Sequence, residues 1–246
     1  MRAPAEASTL AAEAYTIIRQ RILEGELKLG QALSRRKLAA DLGISFLPVS
    51  EAVFRLELEG LLESRARAGT RVRIPTSEDV RGHFLVREAL EAQAAMVFVE
   101  VSTPAERADL RKLAIWVDTL SQQPNRALFV LQHQKFHYRI AECTRSAALC
   151  DAIEKTHALA SIWFSVTQPS PDPQYHRLHQ DLVDELLTGE QHRASEAIRA
   201  HIRWGMRQAL AHLEPYFQMR TANGRTFFRS DKRRQQHARI GSQLAV

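Results

Sequence analysis

Apolar positions at helical spacing dominate this chain, and a strand-like pattern is confined to one short stretch. In residues 9–24, Leu10, Ala14, Ile17, Ile18 and Ile22 fall on one stripe of a 3.6-residue repeat, which predicts an amphipathic helix. Gly25 and Gly30 bracket a loop. Ser34 stands where an N-cap would start a short helix, RRKLAADLG, that Gly43 stops. Ser45 caps the next helix, with Pro48 in its first turn, Val49, Val53 and Leu56 at helical spacing, and Gly60 at its end. Residues 61–64 and 70–74, joined by a turn containing Gly69, read as a small β-hairpin, and Pro75 closes the unit. From residue 78 the pattern is helical throughout, with helices expected over 78–101, 104–121, 126–144, 147–166, 174–188 and 191–214. Sharp Pro- or Gly-marked breaks separate most of them.

The fold class this predicts is mainly α, in three parts: an N-terminal winged helix-turn-helix over residues 1–76, an all-α helical bundle over 77–217, and a polar, basic, disordered tail over 218–246. The composition, 45% hydrophobic and 25% charged, is that of a soluble globular chain. No run of about 18 apolar residues suggests a membrane span. The N-terminus lacks the pattern of a secretory signal, and two cysteines, Cys143 and Cys150, suit a reducing compartment as small core fillers, so the expected location is the cytoplasm. The tail alone holds seven Lys/Arg against one acid, as much as the whole formal net charge of +6. The high pI therefore says little about the folded body.

A helix, a glycine-turned helix pair and a hairpin, in that order, place the second helix of the pair in a DNA major groove and the hairpin along phosphates or the minor groove. Basic side chains cluster where that geometry wants them: Arg35, Arg36 and Lys37 on the first helix of the pair, Arg55 on the second, and Arg65, Arg67, Arg71 and Arg73 on the wing. The stretch LSRRKLAADLGISFLPVSEAVFRLELEGLLESRARAGTRV resembles the GntR-type winged helix, through Arg36, Leu38-Ala39, Leu42-Gly43, Ser45, Pro48-Val49, Glu51-Ala52, Leu56, Gly60-Leu61 and Gly69. The resemblance implies a DNA-contacting set of Arg35, Arg36, Ser45, Phe46, Ser50, Arg55, Arg65, Arg67, Gly69, Thr70 and Arg71, acting on double-stranded DNA with a near-palindromic operator bound by a homodimer. Two positions depart from the family. Phe46 and Ser50 stand where arginines that read guanine or clamp phosphate are usual, so either the operator differs or DNA affinity leans more on Arg36, Arg55 and the wing.

Ten histidines is a high count. His133 and His137 in LQHQKFHYRIAE are four residues apart and project from one helix face. Spacing alone leaves them either as half of a metal site or as two ordinary histidines. Arg87 and Glu91 in VREALEAQAA, Phe136-His137, and His179 and His201 flanking the Gly189-Glu190 turn resemble the effector domain of the FadR-like branch, the FCD domain. In metal-binding members one Asp and three His hold the ion, and the Asp position is His133 here. The resemblance thus implies a metal site of His133, His137, His179 and His201. Its all-imidazole donors favour a divalent transition metal, zinc or nickel, over magnesium or manganese. Losing the Asp leaves the ion's charge uncompensated by protein, which invites a small anionic metabolite as effector, with Arg87 as a second contact or as a buried partner of Glu91. His83, His157 and His176 read as ordinary.

The function expected is a transcription regulator whose operator binding is controlled by a small organic acid, not an enzyme. A different class, a metal-dependent hydrolase or lyase on the four-histidine core, meets two objections. Four histidines close a tetrahedral shell, and Asp181 and Glu142, the nearest acids in sequence, read as solvated. A third class, a non-specific nucleic-acid binder driven by the tail, would show a steep salt dependence without operator preference.

Overall fold

A computed structural model describes residues 9–65, 69–166 and 177–241. Helix α1 (Leu10–Leu23) starts at Thr9, whose hydroxyl accepts from Ala12 N, and buries Ala14, Ile18 and Ile22. Strand β1 (Ala32–Leu33) leads into α2 (Arg35–Leu42), capped by Ser34 and ended by Gly43 at φ +66°, the left-handed conformation that a glycine adopts without a Cβ penalty. That turn sets the direction of α3 (Phe46–Leu58), which buries Val49, Ala52, Val53 and Leu56 against α1 and α2. Strands β2 (Leu62–Arg65) and β3 (Gly69–Val72) form the wing.

The wing is more than the expected hairpin. Strand β1 pairs antiparallel with β3, giving a three-stranded sheet of order β1-β3-β2. Two residues are too few to show a period in sequence, and Gly30 N donating to Val72 O with Val72 N donating to Gln31 O extends the pairing. Arg67 falls among residues 66–68, and His176 among 167–176; both lie outside the described residues.

The helical part comprises α4 (Ser77–Val101), α5 (Pro104–Ser121), α6 (Arg126–Glu142), α7 (Ala147–Val166), α8 (Leu178–Leu186) and α9 (Gln191–Gly241). Helices α4 and α5 begin with capping boxes, Thr76 with Asp79 and Thr103 with Glu106, each satisfying two otherwise orphaned backbone donors. Helix α4 is central. Val80, Phe84, Arg87, Glu91, Ala95 and Phe98 follow one stripe into the core, and α9 runs along it with Ala194, Ile198, Ile202, Ala209 and Leu213 buried. Arg87 and Glu91 are buried because they occupy core positions of that stripe. The start of the helix expected at 174 falls outside the described residues, and its described part is α8.

The C-terminal expectation needs correcting. Helix α9 does not stop near residue 214 but passes through Pro215 to Gly241. Pro215 removes the bond its own N–H would make to Ala211 O, and its ring crowds that carbonyl, so the helix bends there rather than ending. Beyond Pro215 the chain has Gln, Arg and Ala, which are good helix formers, and no second proline.

Candidate metal centre and nucleic-acid interface

Six helices send a polar side chain to one place in the helical bundle. His133 and His137 come one turn apart from α6, His179 from the first turn of α8, and His201 from the buried stripe of α9. One ligand atom from each lies within 4.8 Å of all the others. His137 Nε2 is 3.2 Å from His133 Nε2 and 3.3 Å from His201 Nε2. Three of the four rings are buried, and His133 is half-buried, which puts it on the solvent side.

Two carboxylates stand behind these rings. Asp118 of α5 accepts from His179 Nδ1 at 2.6 Å, from the backbone N of His179 and Gln180, and from Gln180 Nε2. An ionised carboxylate only accepts, so the His179 proton sits on Nδ1 and the Nε2 lone pair faces the cluster. His179 Nε2 is buried with no hydrogen-bond partner among the described residues. Glu91 of α4 lies 2.7 Å from His137 Nδ1, and accepts from Arg87 Nε at 2.8 Å and from His157 Nε2 of α7 at 3.1 Å.

Burial opposes the charge on Glu91, but Arg87 and the neighbouring His137 outweigh it and hold the carboxyl well below its usual range. Burial likewise opposes the charge on Asp118, and the bond from His179 outweighs it, so its pKa is lowered. Burial and mutual repulsion push His133 and His201 well below the ordinary imidazole value, and burial brings His137 down to about 4 despite Glu91. These rings are therefore neutral near pH 7, the form that ligates a metal. A neutral His137 whose Nδ1–H faces Glu91 offers a bare Nε2 to two other imidazole nitrogens. A proton on a neighbour satisfies one such contact, whereas a dication satisfies all of them at once. The residues present thus fit a borderline divalent ion held by nitrogen donors.

All four histidines named from sequence are brought together, and Arg87 is paired with Glu91. Asp118, Glu91 as a partner of His137, and His157 as a member of the network were missed. The signal for Asp118 was there: an acid on the stripe Leu110, Ala114, Val117, whose other members are buried apolar residues. The expectation that protein leaves the ion's charge uncompensated also changes, since Asp118 and Glu91 lie one imidazole away from it, with Arg87 offsetting Glu91.

The N-terminal basic residues divide into two kinds. Arg35 points inward, donating to Glu57 and Ser64 at 3.1 Å and to Thr70 at 3.3 Å, while Ser64 also bonds Glu57 and Thr70. It ties α2, α3 and the wing together, and Thr70 is buried within that knot. Arg36 and Lys37 are exposed, and no ion pair among the described residues includes either. Arg55 stacks over Tyr15 and sits 3.7 Å from Glu59, while Arg65 and Arg71 share Glu63 at 3.4 and 3.9 Å. Half-exposed pairs of this kind are worth about 0–1 kcal/mol, so these arginines can turn to phosphate at small cost. Ser45 is exposed and its side chain makes no cap hydrogen bond, Phe46 is exposed, Ser50 Oγ is buried, and Gly69 takes φ +77° at the wing turn. Arg73 reaches Asp79 of the α4 capping box at 2.9 Å and so joins the wing to the helical part.

The family comparisons agree with this architecture. Residues 10–72 match the profile described as bacterial regulatory proteins of the gntR family, and residues 83–203 match the FCD domain. The chain is 27% identical over 196 residues to a protein of Paenarthrobacter nicotinovorans described as "Probable D-xylose utilization operon transcriptional repressor", covering 79% of this chain and 86% of that one. It is 28% identical over 228 residues to the HTH-type transcriptional regulator YieP of Escherichia coli (strain K12), covering 81% and 98%. A solved GntR regulator from Rhodococcus sp. RHA1 shares the fold with a TM-score of 0.69 at 21% identity, over 82% of this chain and 97% of that chain. The relatives are transcription regulators rather than enzymes. The chain thus belongs to the GntR family of bacterial transcription regulators, with a DNA-binding winged helix at its N-terminus and an FCD ligand-binding domain after it.

Proposed function

We infer that residues 77–217 hold one divalent transition ion, zinc or nickel, through His133, His137, His179 and His201, and that a small organic acid reaching this ion sets the affinity of residues 1–76 for a near-palindromic operator. The observation that carries this is the convergence of four imidazoles within 4.8 Å, two of them oriented by buried carboxylates. Bound there, the ion would supply a Lewis-acid centre for a carboxylate. Asp118 fixes the His179 tautomer, Glu91 orients His137, and half-buried His133 marks the side from which the acid enters. Arg87 serves as a second contact to the acid by exchanging its Glu91 partner. The regulator works in the cytoplasm as a homodimer, because two reading helices related by a two-fold axis are what a palindrome demands.

Asp118→Asn tests the oriented ligand. An amide can present its NH₂ to His179 Nδ1 and favour the wrong tautomer, so metal affinity is expected to fall about 10- to 100-fold with the helices intact. Competition with a chromogenic chelator measures it, and unchanged affinity would show that Asp118 serves only to cap α8.

On the DNA side, Arg36→Ala is expected to weaken binding to all duplexes alike and to reduce the salt slope by about 1, the signature of one lost phosphate contact. Arg35→Ala is expected to lower thermal stability as well, because it leaves Glu57 and Ser64 without their shared donor. Fluorescence anisotropy at several salt concentrations, together with thermal melts, separates the two. Equal loss of stability in both variants would contradict the division.

A further inference from the structure

The outer face of α3 carries, beside exposed Glu51 and Arg55, four large apolar side chains where a solvated helix face should be polar. Phe46 is 51% exposed, Leu47 66%, Phe54 59% and Leu58 74%, while Val49, Ala52, Val53 and Leu56 form the inner face. Only Phe46 and Leu47 lie in the first turn, the part of a reading helix that reaches base edges. Around them the donors are few. Ser45 is exposed beside them, but Ser50 Oγ, one turn on, is buried. The surface still suits DNA: Arg36 and Lys37 are exposed, and the first-turn N–H groups of α3 have no side-chain cap.

We propose that Phe46 and Leu47 read thymine by its C5-methyl group, so that the operator carries thymine at the positions facing the start of α3. The thymine methyl is the one apolar group a base pair presents in the major groove. A guanine there would set O6 and N7 against a phenyl ring or a leucine, neither of which can donate, so the same two side chains also select against it. This deepens the reading of residues 1–76 as a DNA reader and rests on it.

The test starts from duplexes selected by the full-length chain from a random pool, with each thymine of a selected half-site then replaced in turn by deoxyuridine, which lacks only the methyl. At one or two positions per half-site the wild-type chain should bind the uracil duplex roughly fourfold more weakly per methyl removed. In the Phe46→Ala, Leu47→Ala variant, thymine and uracil duplexes should bind equally. Wild-type protein that selects a site yet ignores every uracil substitution would overturn the proposal and leave DNA reading intact. Methyl sensitivity that survives in the double variant would also overturn it, as would an altered oligomeric state of that variant, which would assign the pair to a protein contact. Failure to select any duplex would instead remove the DNA-reading assignment itself.

Discussion

Purified without a histidine tag, the wild-type chain is expected to carry close to one transition-metal ion, and the His179→Ala, His201→Ala variant almost none. Both residues come from helices other than α6, so their loss leaves only the adjacent pair His133 and His137, too few donors for a tetrahedral site. A stability difference should accompany the metal. At a free ion concentration of about 100 times the dissociation constant, binding adds roughly 2.7 kcal/mol, which in a chain of this size raises Tm by about 5–11 °C. Chelation of the wild-type protein should abolish that increment and leave the double variant unmoved. Elemental analysis with paired melts measures both. Substoichiometric metal, equal in wild type and variant, would reject the four-histidine site.

The second large effect concerns stability at the same place. Glu91→Ala is expected to destabilise the chain by about 3–5 kcal/mol, because it strands the buried Arg87 guanidinium without its carboxylate and removes the acceptor of His157 and the partner of His137. That corresponds to a Tm lower by roughly 6–20 °C. Replacing both charges, with Arg87→Met and Glu91→Leu together, should be much less damaging than Glu91→Ala alone, since no uncompensated charge is then buried. Denaturant melts of the single and double variants in chelator measure this free of metal. If the double variant is as unstable as the single, Glu91 acts through packing rather than by holding Arg87.

The local architecture was legible wherever the chain punctuates itself. Ser34, Gly43, Ser45, Thr103-Pro104 and the 3.6-residue stripes fixed most helix starts and stops, because caps and turns depend on neighbouring residues. Strand β1 was not legible, since a two-residue strand has no period and exists only because β3 passes beside it. The four histidines could be named because the family pattern supplied a partner for each. Asp118 showed itself only as an acid on a buried apolar stripe, and its role, like that of His157, comes from a contact across 61 residues to His179 in one case and across 66 residues to Glu91 in the other. Arg35 shows the converse. Adjacent to Arg36 and equally basic, it folds inward on Glu57, Ser64 and Thr70, a choice that only the packing of the wing determines.

Arg73, Asp79 and the Thr76 cap link the winged helix to the first helix of the helical domain, a contact through which a ligand bound in that domain can act on the DNA reader. The most direct measurement is the affinity of the full-length chain for a selected operator, by fluorescence anisotropy, with metal bound and after chelation, alongside metal affinity with and without saturating operator. Metal is expected to change operator affinity by some factor, and operator to change metal affinity by the same factor, as linkage requires. Identical operator affinity in the metal-loaded and metal-free states, in protein shown to bind the ion through these histidines, would contradict it.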